Sequence, residues 1–205
     1  MLNTTGSEDL ALAIDDDLIK DFVVKKYPFL LIYPLFIIGV RHYTRNESYD
    51  RRNQYNDLII QFFNDEIKTY PGNTHPSTHR MGFGQLPSKG MFQKGMATLK
   101  PGLYVTHKID YHRNYIALCQ RSSDVTVVRD GNPPYEDTGL FSINIHKGGK
   151  STTSSEGCQT IWPDCWDEFI ETIARKLVKG IGLNQSLNYT VPYLLVNFSD
   201  LTTPD

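Results

Sequence analysis

The chain has 205 residues, and its 40% hydrophobic and 12% aromatic content is enough for one substantial core. The formal net charge is only -2, so the composition gives no sign of a nucleic-acid-binding surface. The three cysteines are an odd number at scattered positions, which excludes a disulfide framework and a paired Cys-x-x-Cys zinc site: Cys119, Cys158 and Cys165.

The first forty residues predict a helix followed by a buried strand. Residues 1–17 are acidic and lack the basic start and apolar run of a secretory signal, so we expect no signal-directed export. Asp16–Lys26 begins with acids, ends with lysines and has one apolar face, which predicts a helix that Pro28 ends. Residues 27–40 are apolar, but they are shorter than a membrane span and contain prolines, which favours buried strand.

The central part of the chain predicts many strands and two long connections. The connections are a polar segment over 44–57 and a segment with little periodicity over 64–95, which either covers a substrate or simply lies on the surface. His107 and His112 fit ordinary strand positions as well as they fit ligand positions. Strands are expected over residues 35–43, 58–63, 102–108, 115–120, 124–129 and 193–198.

The clearest helix signal follows residue 162. Pro163 suits the first turn, acidic residues precede basic ones, and Gly180 is expected to end the helix. With the predicted strands, this helix indicates an α+β fold that is mainly β. One apolar stripe of the helix is expected to pack on the sheet: Trp166, Phe169, Ile170, Ile173 and Leu177.

Residues 139–161 hold two groups with catalytic chemistry. Apolar and polar residues alternate over 141–146, which predicts a half-buried strand with His146 at its end. A polar loop with two glycines and five hydroxyl residues follows over 147–155, and Cys158 comes directly after it. Either residue alone is more often structural, but a thiol with a nearby base, beside a glycine that lets a carbonyl approach, favours catalysis.

These residues resemble a known family. Ile145-His146 with Gly148 soon after, and then Ser155-x-Gly157-Cys158, is similar to the signature of L,D-transpeptidase (YkuD-type) domains: a His-Gly pair, a variable loop and Ser-His-Gly-Cys. The upstream run Thr-Leu-Lys-Pro-Gly-Leu-Tyr over 98–104 resembles the Thr-Pro-x-Gly-x-Tyr segment of those domains.

The resemblance spans residues 96–161, and it departs from the family pattern at several positions. The loop is short, Glu156 stands where the family has its second His, and Gln159-Thr160 replaces the usual residues after the Cys. The whole run from Ile143 to Ile161 also resembles a group of largely uncharacterised phage and proteobacterial proteins.

The resemblance implies a fold, a reaction and catalytic roles. It implies a mainly β catalytic domain over 71–205, with 1–70 as a helix and strand extension packed on it. Cys158 would attack the carbonyl of an L-centre in a peptidoglycan stem peptide, and an amine or water would resolve the thioester. His146 would be the base, Gly157 and the Cys158 amide would form part of the oxyanion site, and Ser155 would complete the catalytic residues. No metal and no cofactor are implied.

Further expectations concern the thiol, the substrate and the location. If His146 takes the thiol proton in advance, the pKa of Cys158 should fall below its free value of about 8.5. The partners would be peptidoglycan stem peptides, reached in the periplasm after non-Sec export or lysis, without nucleic acid and without a membrane span. The predicted substrate-binding residues are Gly148, Gly149, Lys147, Lys150, Arg41 and Thr153.

Several functional alternatives stay open on sequence grounds. The reaction could be transpeptidation, removal of a terminal residue or lysin-type cleavage of a crosslink. A papain-type peptidase fits less well, because His146 lies shortly before Cys158. A non-catalytic cell-wall or carbohydrate-binding module would instead use aromatic residues as its contact surface: Tyr104, Tyr111, Tyr115 and Trp162.

Overall fold

A computed structural model of the protein describes residues 1–42, 52–82, 84–86 and 91–202. The predicted α+β class is confirmed, and strands contribute more residues than helices. The helices are α1 (Thr5–Ala13), α2 (Asp16–Lys26), α3 (Trp166–Ile181), α4 (Leu183–Ser186) and α5 (Phe198–Thr202), with 3-10 turns at Pro28–Ile32 and Pro163–Cys165. None of the helices in these ranges has the length and apolar character needed to cross a bilayer.

Eight strands close into a barrel in the order β1-β13-β7-β8-β11-β12-β3-β2. Two pairs, β1 with β13 and β11 with β12, are parallel, and the other neighbours are antiparallel. Two smaller sheets, β10-β9-β6 and β4-β5, complete the fold. The strands are β1 (Leu35–Arg41), β2 (Asp57–Phe63), β3 (Glu66–Asn73), β4 (Gly84–Leu86), β5 (Met91–Gln93), β6 (Ala97–Leu99), β7 (Gly102–His112), β8 (Tyr115–Gln120), β9 (Val125–Arg129), β10 (Tyr135–Gly139), β11 (Ile145–Lys147), β12 (Gln159–Ile161) and β13 (Val191–Asn197).

The β1 strand is buried along its whole length because both of its faces are covered. Leu35 and Ile37 belong to the barrel core that α3 also packs against. Phe36, Ile38 and Val40 belong to a second core beneath α1 and α2. A strand covered on both faces has a continuous apolar run instead of an alternating one, which explains the second half of the apolar run over 27–40. The prediction of strand is wrong for the first half of that run, because Pro28 begins a 3-10 turn over Pro28–Ile32.

The two long helices follow the sequence closely, with one difference at an end. α2 has the predicted bounds, and its N-cap Asp15 accepts a hydrogen bond from the Leu18 amide at 2.7 Å. α3 continues past Gly180 to Ile181, and its C-cap Gly182 has a φ of 82°, a backbone conformation that favours glycine. Ile170 of the predicted stripe is only partly buried. Burial of each of the other four side chains stabilises the fold by about 1.5–3 kcal/mol: Trp166, Phe169, Ile173 and Leu177.

Two predictions about the first half of the chain need correction. The loop predicted over 64–95 is wrong where β3 pairs with β2 from Glu66 to Gly72. Charged residues and Pro71 removed the apolar alternation that normally marks a strand. The division predicted between residues 70 and 71 falls inside β3, so the barrel takes strands from both proposed domains. Residues 44–51 of the predicted polar connection lie outside the described residues.

Candidate active site

Two short parallel strands bring Cys158 and His146 to one cleft. β11 and β12 pair in parallel, and the Gln159 amide donates to the Asn144 carbonyl at 2.8 Å. Cys158 therefore lies beside Asn144, the residue before β11, and His146 lies two residues further along the chain. Residues two apart in an extended chain share a face about 6.6 Å apart, which fits the two side chains lying on one side. They line the same cleft, which has a volume of about 430 Å³.

The segment before β11 is not the strand that was predicted over 141–146. Only Ile145–Lys147 is strand, because side-chain hydrogen bonds replace a neighbouring strand further upstream. Gln120 Oε1 accepts from the Phe141 and Ile143 amides at 3.1 and 2.9 Å, and Ser142 between them has a φ of 58°. A buried glutamine on β8 thus shapes this wall of the cleft.

The thiol of Cys158 rests between two backbone groups of that wall. Its Sγ–H donates to the Ser142 carbonyl at 3.4 Å, and Sγ accepts from the Asn144 amide at 3.4 Å. His107, on β7, supports the same wall: its ring is fully buried and Nε2 lies 2.9 Å from the Ile143 carbonyl oxygen. His107 therefore holds the backbone of this wall in place.

Ser155 and Gly157 build the turn that presents the thiol. Ser155 Oγ–H donates to the Cys158 carbonyl at 2.7 Å, and the Gly157 amide donates to Ser155 Oγ at 3.0 Å. Gly157 has a φ of 146°, and a Cβ there would lie 2.6 Å from the Ala97 carbonyl oxygen. Only glycine fits this position.

The turn leaves the Cys158 amide available as a backbone donor for an oxyanion. The Gly157 amide, predicted to serve that role, is already taken by Ser155 Oγ. Within the described part of the chain, no acceptor takes the Cys158 amide hydrogen. The Cys158 amide is therefore the group that could stabilise negative charge on a substrate oxygen.

The backbone fixes the tautomer of His146. Nδ1 lies 2.8 Å from the Lys147 carbonyl oxygen, which can only accept, so Nδ1 carries the proton. The Tyr115 hydroxyl lies 3.3 Å from the same nitrogen and steadies the ring. Nε2 therefore keeps its lone pair, as a general base requires.

His112 is a site residue that the sequence did not reveal. Its ring stacks on that of His146, with centroids 4.4 Å apart and planes 9° apart, and both line the cleft. Asn144 Nδ2 donates to His112 Nδ1 at 3.0 Å, which leaves the proton of His112 on Nε2. Its position at the end of β7 is only a weak sequence signal, because the approach of His112 to His146 depends on the pairing of β8 with β11.

Burial keeps the reacting groups neutral. It raises the pKa of the Cys158 thiol to about 11, which the hydrogen bond from the Asn144 amide only partly offsets. It lowers the pKa of His146 to about 4, against the opposing effect of the Lys147 carbonyl. Burial also lowers the pKa of His112. The expected fall of the Cys158 pKa is therefore wrong for the resting site, which holds a thiol beside a neutral imidazole.

Of the predicted substrate-binding residues, only Lys147 lines the cleft. Arg41 is buried and donates to Thr74 and to the Leu99 carbonyl, so it holds the fold together. The other four lie in the loop behind the turn, where they make backbone, hydroxyl or ion-pair contacts: Gly148, Gly149, Lys150 and Thr153.

The four aromatic residues of the alternative function do not form one surface. Tyr104 is half-buried and donates to the Lys100 carbonyl, whereas Tyr111 is 66% exposed at the other end of β7. Tyr115 contacts His146, and Trp162 packs edge-on against Tyr55. These four residues therefore do not form a shared aromatic contact face.

Comparison of the chain with protein-family models, curated proteins and solved structures finds no match of any of these kinds. The likeness to L,D-transpeptidases stays a hypothesis that depends on the motif residues themselves.

Proposed function

We propose that the protein is a cysteine-dependent acyl-transfer or hydrolytic enzyme that acts on peptidoglycan stem peptides through a thioester at Cys158. The observation that supports this most is the pairing of an oriented thiol with a histidine whose free nitrogen is Nε2, in one cleft. The choice of peptidoglycan follows from the motif resemblance. On this proposal the protein would act on the cell wall in the periplasm.

Because both groups rest neutral, the thiol proton moves during the attack. His146 Nε2 accepts that proton as Sγ forms a bond to the substrate carbonyl carbon, and the carbonyl π electrons become the oxyanion beside the Cys158 amide. The oxyanion collapses, the C–N bond breaks, and the His146 imidazolium protonates the leaving amine. Water or another amine then attacks the thioester, with His146 again taking the proton, and the thiol is restored.

The experiment is mass spectrometry of defined muropeptides incubated with the protein and with Cys158→Ser. Loss of a terminal residue, opened crosslinks and new crosslinks are distinguishable products. Cys158→Ser should keep the fold and lose turnover by about 10³-fold or more, because a serine hydroxyl is a far weaker nucleophile here.

The matched control is Cys165→Ser, since Cys165 is half-buried in the 3-10 turn and does not line the cleft. This variant should keep turnover. Equal activity in Cys158→Ser and the native protein would overturn the assignment, and binding of muropeptides without any product would favour the non-catalytic module.

A further inference from the structure

The cleft around Cys158 has an excess of positive charge. Its lining includes Arg80, Arg113, Arg129 and Lys147, against the single carboxylate of Glu156. Over the whole chain acidic residues slightly outnumber basic ones, so this excess is local. A cleft with one sign of charge concentrates ligands of the opposite sign.

Three of these cations already have carboxylate partners. Arg80 lies 3.4 Å from Glu156, Arg129 lies 2.6 Å from Asp137, and Lys147 lies 3.8 Å from Asp167. Arg129 also donates to the Gly95 carbonyl at 2.9 Å.

Arg113 differs from the other three. Within the described ranges it has neither an ion pair nor a hydrogen bond to another side chain, and it is exposed at the mouth of the cleft. After burial, its charge helps to lower the pKa of His112 and His146, and it slightly opposes the rise that burial causes in the pKa of Cys158.

The backbone at Arg113 is also unusual. It follows His112 in the two-residue loop that joins β7 to β8, with a φ of 58°. Hairpin loops that need a positive φ here strongly favour glycine or asparagine, and another residue costs about 1–2 kcal/mol. The arginine at this position therefore lowers the stability of the fold, and its side chain lines the cleft.

We infer that Arg113 is a specificity-determining residue that binds a carboxylate on the acyl substrate, and that the enzyme selects substrates bearing an anionic group near the scissile carbonyl. This inference rests on the proposed function for its reaction. Its electrostatic part concerns the cleft alone and can be tested without turnover. The guanidinium would donate two parallel hydrogen bonds to the carboxylate, a geometry that lysine cannot reproduce.

The test compares two alkylating probes of similar size at Cys158, anionic iodoacetate and neutral iodoacetamide, by mass spectrometry of the Cys158 peptide. The rate with iodoacetate is divided by the rate with iodoacetamide, and this ratio cancels any general change in thiol reactivity. In the native protein this ratio should exceed that of glutathione, and it should fall about fivefold or more in Arg113→Gln. Arg113→Lys should keep part of the preference, and 1 M salt should weaken it by screening.

Two further variants separate an anchor from a structural role. Arg113→Gly should lose the iodoacetate preference while raising the melting temperature, because glycine relieves the backbone strain. Arg175→Gln, which removes an exposed arginine of α3 outside the cleft lining, should leave the ratio unchanged.

The outcomes distinguish this inference from the proposed function. A native ratio equal to that of glutathione, or an unchanged ratio in Arg113→Gln, overturns the role of Arg113 even if muropeptides are turned over. A ratio that depends on Arg113 supports the anion site even if no muropeptide reacts. With active protein, amidation of the stem-peptide carboxylate should raise KM in the native enzyme and have little effect in Arg113→Gln.

Discussion

At the scale of single residues, the structure gives the Cys158 thiol and the His146 imidazole of the proposed enzyme a neutral resting state. Burial holds the pKa of Cys158 at about 11 and that of His146 at about 4, so neither group is charged near neutral pH. The cleft is also lined by the titratable groups of His112, Tyr115, Lys147 and Glu156, and by three arginines that stay charged. A thiol of this kind depends on the base at the moment of attack and not on a thiolate formed beforehand.

This predicts different pH dependences for alkylation and for turnover. Iodoacetamide needs the thiolate, so alkylation of Cys158 should rise about tenfold per pH unit from pH 6 to pH 10. Turnover needs neutral His146 and protonated Cys158, so kcat/KM should stay nearly flat and fall as the pH drops through about 4.

His146→Ala should remove turnover and leave the alkylation profile almost in place, because the resting imidazole carries no charge to stabilise a thiolate. Both profiles are measured on the same samples, with Cys165 alkylation as the internal reference. Alkylation of Cys158 that persists at pH 5 would show a preformed thiolate and imidazolium pair, and the neutral-pair mechanism would be wrong.

At the scale of elements, the turn from Ser155 to Cys158 is the part that positions the nucleophile. One hydroxyl, Ser155 Oγ, serves two backbone groups: it donates to the Cys158 carbonyl and accepts from the Gly157 amide. Ser77 Oγ in turn accepts from the Ser155 amide at 2.7 Å and contacts Thr153 at 2.8 Å. The turn is thus fixed by hydroxyl hydrogen bonds, some within the turn and one to Ser77, which is distant in the sequence.

Ser155→Ala should therefore impair both stability and catalysis. It leaves a buried amide and a carbonyl without their partner, which should lower the free energy of unfolding by about 1–3 kcal/mol. It should also lower kcat at least tenfold with a smaller change in KM, because the thiol loses its fixed position. Urea unfolding and steady-state kinetics measure the two effects.

The control is Ser151→Ala, an exposed serine of the same loop, which should behave as the native protein does. A native kcat in Ser155→Ala would mean that the backbone holds the turn without the hydroxyl.

The elements also show what the sequence could predict. The bounds of α2 and β8 follow from local signals, since capping, periodicity and turn residues all lie within each element. The shape of the 141–144 segment depends on Gln120, which is distant in sequence, so alternation alone predicted a strand. The approach of His112 to His146 depends on strand pairing in the same way. The motif singled out Cys158 and His146, which the structure brings to one cleft, but the surroundings of both residues depend on the fold.

At the scale of the whole molecule, one buried carboxylate joins parts of the chain that had been assigned to separate domains. Asp57, at the start of β2, accepts from the His42 amide after β1 and from the amide and hydroxyl of Thr74 after β3. Its carbonyl accepts from Ser7 of α1, and Arg41 donates to Thr74. The N-terminal helix and three barrel strands thus meet at one polar cluster inside the protein.

The pKa of Asp57 sets the direction of its effect on stability. Burial alone would raise this pKa, but the contacts with His75, the His42 amide and Thr74 outweigh it and lower the pKa. A carboxyl whose folded pKa lies below its unfolded value of about 3.9 stabilises the fold above that value. The contribution is lost as the pH falls through the folded pKa.

Asp57→Asn should therefore destabilise the entire barrel and not only the N-terminal helices. The neutral amide leaves buried donors and the Arg41 and His75 cluster without the carboxylate, so the free energy of unfolding at pH 7 should fall by about 3–5 kcal/mol.

Unfolding should remain one transition when followed by tryptophan fluorescence and by circular dichroism, because both proposed domains share the sheet. Below about pH 4 the difference between variant and native protein should shrink, because the unfolded native chain then takes up a proton at this carboxyl, and it is lost once the pH falls through the folded pKa of Asp57. Asp65→Asn, at an exposed position after β2, is the control and should change stability by less than about 0.5 kcal/mol. Two separate transitions in Asp57→Asn, with the second at the native midpoint, would show that residues 1–70 unfold independently and that the cluster does not unite the molecule.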